Sequence, residues 1–252
     1  MTESSSQKHV LRLHFERMRE VLLSPQKAFT LLVEEGRATW LPPMLTLTIS
    51  TILSMIVSGY FKARAAMMGE LPLPRDWEWW TPDMQNNYMQ AQQSMQGPVF
   101  TYVIPLFGSL LGLWLGWLIL GGLLHLGSTV FGGRGSMQSA LSITGWASLP
   151  FFVRDVLRII FMLIVGRSIQ SAGLSGFAGN SAFMIELLTR FDVFLVWSVV
   201  LLGIGFSIAD NFPRSKAYTN VVIVSILLLL VKAWLGATLS GLGGLAGQRP
   251  FF

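Results

Sequence analysis

Cysteine is absent from this chain, and only three histidines occur, His9, His14 and His125. Without cysteine there is no disulfide, no thiolate nucleophile, no iron–sulfur cluster and no cysteine zinc site. Three scattered histidines do not make a histidine-rich metal centre. Charge is scarce too: 12% of residues are charged, against roughly 25% in a soluble domain. Hydrophobic residues make up 52%, with a mean hydropathy of +0.56. A chain so poor in charge cannot cover its own surface with polar groups, so lipid is the expected solvent. No dense basic run suggests nucleic acid as a partner, and the net charge of +5 reads as loop charge on a membrane protein. No secretory signal peptide is evident: the first strongly apolar run starts near residue 38, and no small-residue cleavage site follows it.

Enzyme signatures are missing as well. There is no HExxH, P-loop or dinucleotide fingerprint. Gly173-Leu174-Ser175-Gly176 is similar to the GxSG of rhomboid proteases, whose base histidine lies on a later span, and no histidine follows His125. Glu34-Glu35-Gly36-Arg37 is similar to the paired glutamates of CAAX-type membrane proteases. Its spacing to arginine differs, it precedes the first apolar run, and no histidine pair completes it. With neither a nucleophile–base pair nor a metal site, the expectation is a protein without enzymatic activity or cofactor.

What the chain does have is five long apolar stretches: residues 40–61, part of 99–131, part of 141–165, 191–209 and 218–239. Each can supply the roughly 20 apolar residues of a spanning helix. Backbone groups in hydrocarbon must be satisfied internally, and alternating strand segments are absent, so the fold class is all-α with five transmembrane helices. Residues 1–7 are polar and read as a disordered tail. Leu11, Phe15, Met18 and Leu22 then recur at helical spacing. Ser24-Pro25 restarts a helix, with Ser as N-cap and Pro at its first position, and Gly36 as its C-cap. Ala28, Phe29, Leu32 and Val33 form its stripe. Two amphipathic helices on the membrane surface are expected; packing on the protein's own loops is the alternative. Residues 1–37 thus form a cytoplasmic segment and 38–252 a membrane domain.

The loop 62–98 holds Trp77, Trp79, Trp80 and Tyr88. Thr81-Pro82 can start a helix there, with Met84, Tyr88, Ala91 and Met95 on one side. These aromatics suit the headgroup layer, or else a partner-binding face. Lysine and arginine set the orientation. The N-terminal segment carries Lys8, Arg12, Arg17, Arg19, Lys27 and Arg37; Arg134, Arg214 and Lys216 fall on the same side, making nine. The other side receives six: Lys62, Arg64, Arg75, Arg167, Arg190 and Arg249. The positive-inside rule then places the N-terminus in the cytoplasm and the C-terminus outside a cell membrane crossed several times.

Charges also fall inside the spans. Arg154, Asp155 and Arg158 lie in the third, with Arg154 roughly 20 Å along it. Arg154 and Arg158 share a helix face, and Asp155 is spaced to pair with Arg158. Asp192 opens the fourth span, and Lys232 lies roughly 21 Å into the fifth. Such a residue costs about 2.5–3.5 kcal/mol at a helix centre, so the five are expected to cluster inside the bundle. They would line a polar pocket or pathway, or fix helix register as ion pairs; Arg158 and Lys232 could instead snorkel to the interface. Pro150 frees a backbone carbonyl around Trp146 and is expected to kink the third helix. Gly108, Gly112 and Gly116 leave one face of the second span nearly bare, for packing within the chain or for a homo-oligomer. His125 reads as a hydrogen-bonded packing residue.

Four segments carry a family resemblance. SPQKAF…EEGRATWLPPML resembles the entry segment of the Yip (Ypt/Rab-interacting protein) domain family. GGRGSMQSALSITGWASLP resembles its loop into the third span, with Gly145, Leu149 and Pro150 in motif places and Trp146 where Tyr is typical. RFDVFLVWSVVLLGIG resembles the fourth span, with Asp192 and Trp197 in motif places, and SKAYTN the entry to the fifth. The resemblance implies a five-span bundle with a cytoplasmic N-terminus. It does not carry over the vesicle-traffic and Rab-GTPase role of eukaryotic members, because the chain has the short form of prokaryotic-type members. The expected function is a membrane scaffold or partner-binding module in contact with lipid and with a protein partner or its own copies. The alternative is a small transporter or channel-like protein using the charges of spans three to five.

Overall fold

The computed structural model describes residues 16–35, 39–70, 73, 77–94, 97–169, 172–179 and 181–247, with side chains from Arg17 to Leu239. The polar tail, His9, His14, Leu11, Phe15, the Gly36 cap and Met95 lie outside the described residues. So do Lys8, Arg12, Arg37, Arg75 and Arg249. The described residues contain helices and no strand.

Two short helices, α1 (Glu16–Leu23) and α2 (Pro25–Glu34), form an N-terminal hairpin. Pro25 opens α2 as expected, but the Ser24 side chain makes no cap; its carbonyl accepts the Ala28 amide instead. Arg17 on α1 closes the hairpin against Glu35 through two hydrogen bonds, one of 2.7 Å. Those bonds hold the Arg17 guanidinium above its ordinary pKa. The apolar stripe does not face lipid. Ala28, Phe29 and Leu32 are buried among Ile143, Leu201 and Phe206, at the centre of the bundle's main core. A surface helix needs only one wet face, and this one turns its dry face to protein.

The first span is α3 (Leu41–Met67), which starts with Pro42 and Pro43 where helix amides have no partner anyway. The loop helix α4 (Pro82–Ser94) follows, burying no side chain. Just before it, Trp77 and Trp80 meet Tyr88 edge to face, and Gln85 donates to the Trp77 carbonyl at 3.1 Å. A π-turn at Val99–Val103 leads into α5 (Ile104–Val130).

The third apolar stretch is two helices, α6 (Met137–Ala147) and α7 (Leu149–Val165). They part at Ser148, so the expected kink is a full break. Pro150 thereby falls in the first turn of α7, where its missing N–H costs nothing. A bent pair follows, α8 (Ala182–Arg190) and α9 (Val193–Ala209), meeting at 59°. The chain then runs up α10 (Arg214–Gly247).

Three helical stretches are long and apolar enough to cross a membrane: Leu41–Met67, Val99–Val130 and Arg214–Leu239. The bent pair supplies a fourth if it counts as one span. The helices of the divided stretch have 11 and 17 residues, each below the roughly 20 of a full crossing. The outer surface of the long helices is apolar: Ile49, Leu53, Ile56, Phe107, Leu111, Leu115, Ile226 and Leu230 are all exposed. These are lipid-facing positions. The protein is therefore an all-α polytopic membrane protein.

Candidate functional site

The charges converge where α7 meets the start of α9. Asp155 is 7% exposed and points at α3. There the Ser50 hydroxyl stands 3.1 Å from Asp155 Oδ2 and 3.0 Å from the Leu47 carbonyl, so one proton serves two acceptors. Arg154 Nε lies 3.5 Å from Asp155 Oδ1, and Arg154 Nη1 lies 3.6 Å from Asp192 Oδ2. Arg158 Nη2 reaches the same Asp192 oxygen at 3.8 Å. The expected Asp155–Arg158 pair is thus replaced: Asp155 takes its neighbour Arg154, and Arg158 turns to α9. The Arg154 guanidinium also stacks 4.8 Å over the Phe151 ring.

Asp192 has a second task. Its Oδ1 accepts the Leu195 amide at 2.9 Å and so caps α9. One oxygen starts the helix while the other holds two arginines. The ion-pair distances exceed those of direct hydrogen bonds, leaving Arg154 Nε and Asp192 Oδ2 buried without one. The attraction here is coulombic rather than a tight bidentate clamp.

Lys232 does not join. Four of the five expected residues gather, and Lys232 stands apart on α10. Its ammonium lies 3.4 Å from where a Cβ on Gly116 would sit. The charge that acts on it is a like one, Arg190, itself bonded to Glu186 at 2.9 Å. Around a Cβ at Gly108 or Gly112 there is nothing within 4 Å. Among the described residues, the space beside Gly108 and Gly112 is therefore unfilled.

The motif positions sit at joints. Gly145 lets Pro43 and the Trp40 carbonyl approach α6 to 3.4 and 3.6 Å of a would-be Cβ. Leu149 is fully buried in the main core, Pro150 is buried in the first turn of α7, and Trp197 packs against that core. Beside them, Trp146 donates to the Thr39 carbonyl at 2.9 Å. His125 is half-buried and makes no hydrogen bond among the described residues.

A second polar group sits at the other end of α9 and is not among the residues singled out from the sequence. Asp210 accepts the Ser128 hydroxyl and, at 2.9 Å, the Gly135 amide. Asn220 donates to the Leu124 carbonyl at 2.9 Å. Together these tie the α5–α6 loop to the α9–α10 turn. The available signal was an acid directly after an apolar run.

A family model described as the Yip1 domain matches residues 19–235. An uncharacterised protein of Methanocaldococcus jannaschii is 39% identical over 67 residues, which are 27% of this chain and 48% of that relative. The matched segment thus spans about half the relative's length. No solved structure matches. With the family match running from α1 to α10 over an all-helical, lipid-facing bundle, the chain belongs to the Yip1 domain family of membrane proteins.

Proposed function

We propose that this protein is a non-enzymatic membrane scaffold or partner-binding module of the Yip type, and that its intramembrane charges lock helices together. One observation carries the reading: Asp155 and Asp192 are both engaged, the first by Ser50 and Arg154, the second by Arg154, Arg158 and the α9 cap. A transport pathway needs groups that exchange partners with a solute. Carboxylates already holding three helices together favour a fixed joint.

Five crossings complete this reading, with α6 and α7 acting as one broken span. The N-terminus is cytoplasmic and the C-terminus lies outside the cell membrane. Along α9 the N-terminal segment and the charge cluster stand at opposite ends. Phe29 of the N-terminal segment contacts α9 at Gly205, whereas the charge cluster sits at Asp192, roughly 20 Å away along the axis. The membrane domain covers residues 38–252, and its α5 face at Gly108 is open to a protein partner or a second copy.

The test is flux in proteoliposomes of wild type, Arg158→Ala and Asp192→Ala, alongside crosslinking in native membranes. The scaffold reading expects no solute flux above protein-free vesicles and a specific crosslinked product. Flux abolished by either substitution refutes it in favour of a transporter.

A further inference from the structure

We infer that the cavity beside Lys232 binds one anionic amphiphile, with its carboxylate or phosphate on the Lys232 ammonium and its hydrocarbon chain along the bare backbone of Gly112 and Gly116. This goes beyond the scaffold reading, which assigns Lys232 nothing.

The argument begins with charge. At the Asp192 end of α7 to α10, the cations Arg154, Arg158, Arg190 and Lys232 are set against the carboxylates Asp155, Asp192 and Glu186. Asp155 and Asp192 hold Arg154 and Arg158, and Glu186 holds Arg190. Lys232 has no carboxylate within ion-pair reach among the described residues, and Arg190 repels it. An ammonium on an apolar helix, with three donors to satisfy, is costly to leave alone.

Shape comes next. A cavity of about 250 Å³ opens between five helices, lined by Gly112, Gly116, Trp117, Phe151, Leu195 and Lys232 among others. Apart from Lys232 and the hydroxyls of Ser148 and Ser225 the walls are apolar, and Ser148 gives its hydroxyl to the Thr144 carbonyl. The Trp117 indole N–H is already given to the Leu141 carbonyl, so the ring offers only its hydrocarbon. Gly112 is open for 4 Å around a would-be Cβ, and the Lys232 ammonium occupies the corresponding space at Gly116. A groove with dry walls and one cation at its edge fits a molecule with a dry chain and one anion. A soluble anion would leave the groove empty, and a neutral lipid would leave the charge unmet. Because neighbouring α10 side chains such as Leu227, Leu230 and Val231 are exposed on the outer surface, the ligand enters sideways from the bilayer.

The test is native mass spectrometry of the full chain in detergent, titrated in separate arms with phosphatidylglycerol, phosphatidylcholine and oleate. Lys232→Met removes the charge, and Gly112→Leu fills the groove while keeping it. Neither position carries an ion pair among the described residues, and circular dichroism checks that both variants retain helix. Wild type is expected to keep one phosphatidylglycerol or one oleate in preference to phosphatidylcholine. Lys232→Met should lose about tenfold in that preference, the loss expected for one charge-assisted contact, and Gly112→Leu about tenfold in retention of the anionic amphiphile itself. Retention of phosphatidylglycerol identifies a membrane phospholipid, and retention of oleate alone a free fatty acid. Equal retention of charged and neutral lipid by wild type overturns the proposal. So does an unchanged preference in Lys232→Met, which would leave that lysine snorkelling to the interface.

Discussion

Ser50 on α3 and Asp155 on α7 are 105 residues apart in sequence and 3.1 Å apart in the bundle. The serine supplies the direct hydrogen bond to a carboxylate that is 7% exposed. Ser50→Ala should therefore destabilise the protein by about 1.5–3 kcal/mol, the range for a hydrogen bond to a charged group. Thermal unfolding in a fixed detergent measures this. Repeating it in an Asp155→Ala background closes a double-mutant cycle, and a coupling near zero would show that the contact does not contribute.

Asp192 separates two effects that usually travel together. Asp192→Asn keeps an N-cap acceptor for the Leu195 amide and loses only the charge facing Arg154 and Arg158. Asp192→Ala loses both. The alanine variant should be the less stable by about 1 kcal/mol, the typical worth of a cap. Equal unfolding midpoints for the two variants would place all of the aspartate's contribution in its charge.

The two arginines are unequal by geometry. Arg154 approaches Asp155 and Asp192 and stacks on Phe151, whereas Arg158 approaches Asp192 alone. Arg154→Met should thus lower the unfolding temperature more than Arg158→Met. The reverse order, measured side by side, would mean that the α7–α9 joint depends on Arg158.

How far the sequence could show this depends on how local each cause is. Long apolar runs declare spanning helices because lipid leaves the backbone no other choice. The break at Ser148 was harder to see. Pro150 marked a disturbance, but whether a helix bends or restarts depends on what packs on either side. The helical spacing of Arg154 and Arg158 placed them on one face, and Asp192 was placed at the start of the fourth span, while its capping bond to the Leu195 amide came only from the structure. Ser50 was not, because a serine in an apolar run looks the same whether it bonds its own helix or a carboxylate on another. Lys232 was grouped by depth alone, and depth does not fix the direction in which a helix face turns. The α2 stripe shows the same limit: Ala28, Phe29 and Leu32 were correctly grouped, while their partner, α9 and not lipid, was set by tertiary packing.

That packing makes α2 part of the core. Phe29 is fully buried, with ring atoms 3.4 Å from a would-be Cβ on Gly205. Phe29→Ala should cost about 3–5 kcal/mol, as for other buried aromatics. If α2 is docked as described, the change should also speed trypsin cleavage at Arg19 and Lys27, whose side chains are exposed but whose backbone is held in helix, in vesicles with the N-terminal side facing out. Unaltered cleavage would mean that α2 stays in place without its anchor.

At the opposite end of α9 from the arginine cluster, Asp210 is 5% exposed and accepts from Ser128 and from the Gly135 amide. Its two oxygens satisfy one donor from α5 and one from the loop before α6. Asp210→Ala leaves both donors buried without their acceptor, at roughly 1–3 kcal/mol each. Asp210→Asn keeps one carbonyl oxygen and should lose about half of that. The damage should be local first: hydrogen exchange at residues 132–135 should accelerate in Asp210→Ala while the middle of α9 stays protected. Faster exchange along all of α9 would instead mean that Asp210 supports the bundle as a whole, and unchanged exchange at Gly135 would remove the Asp210 bond as the cause of the loop's order.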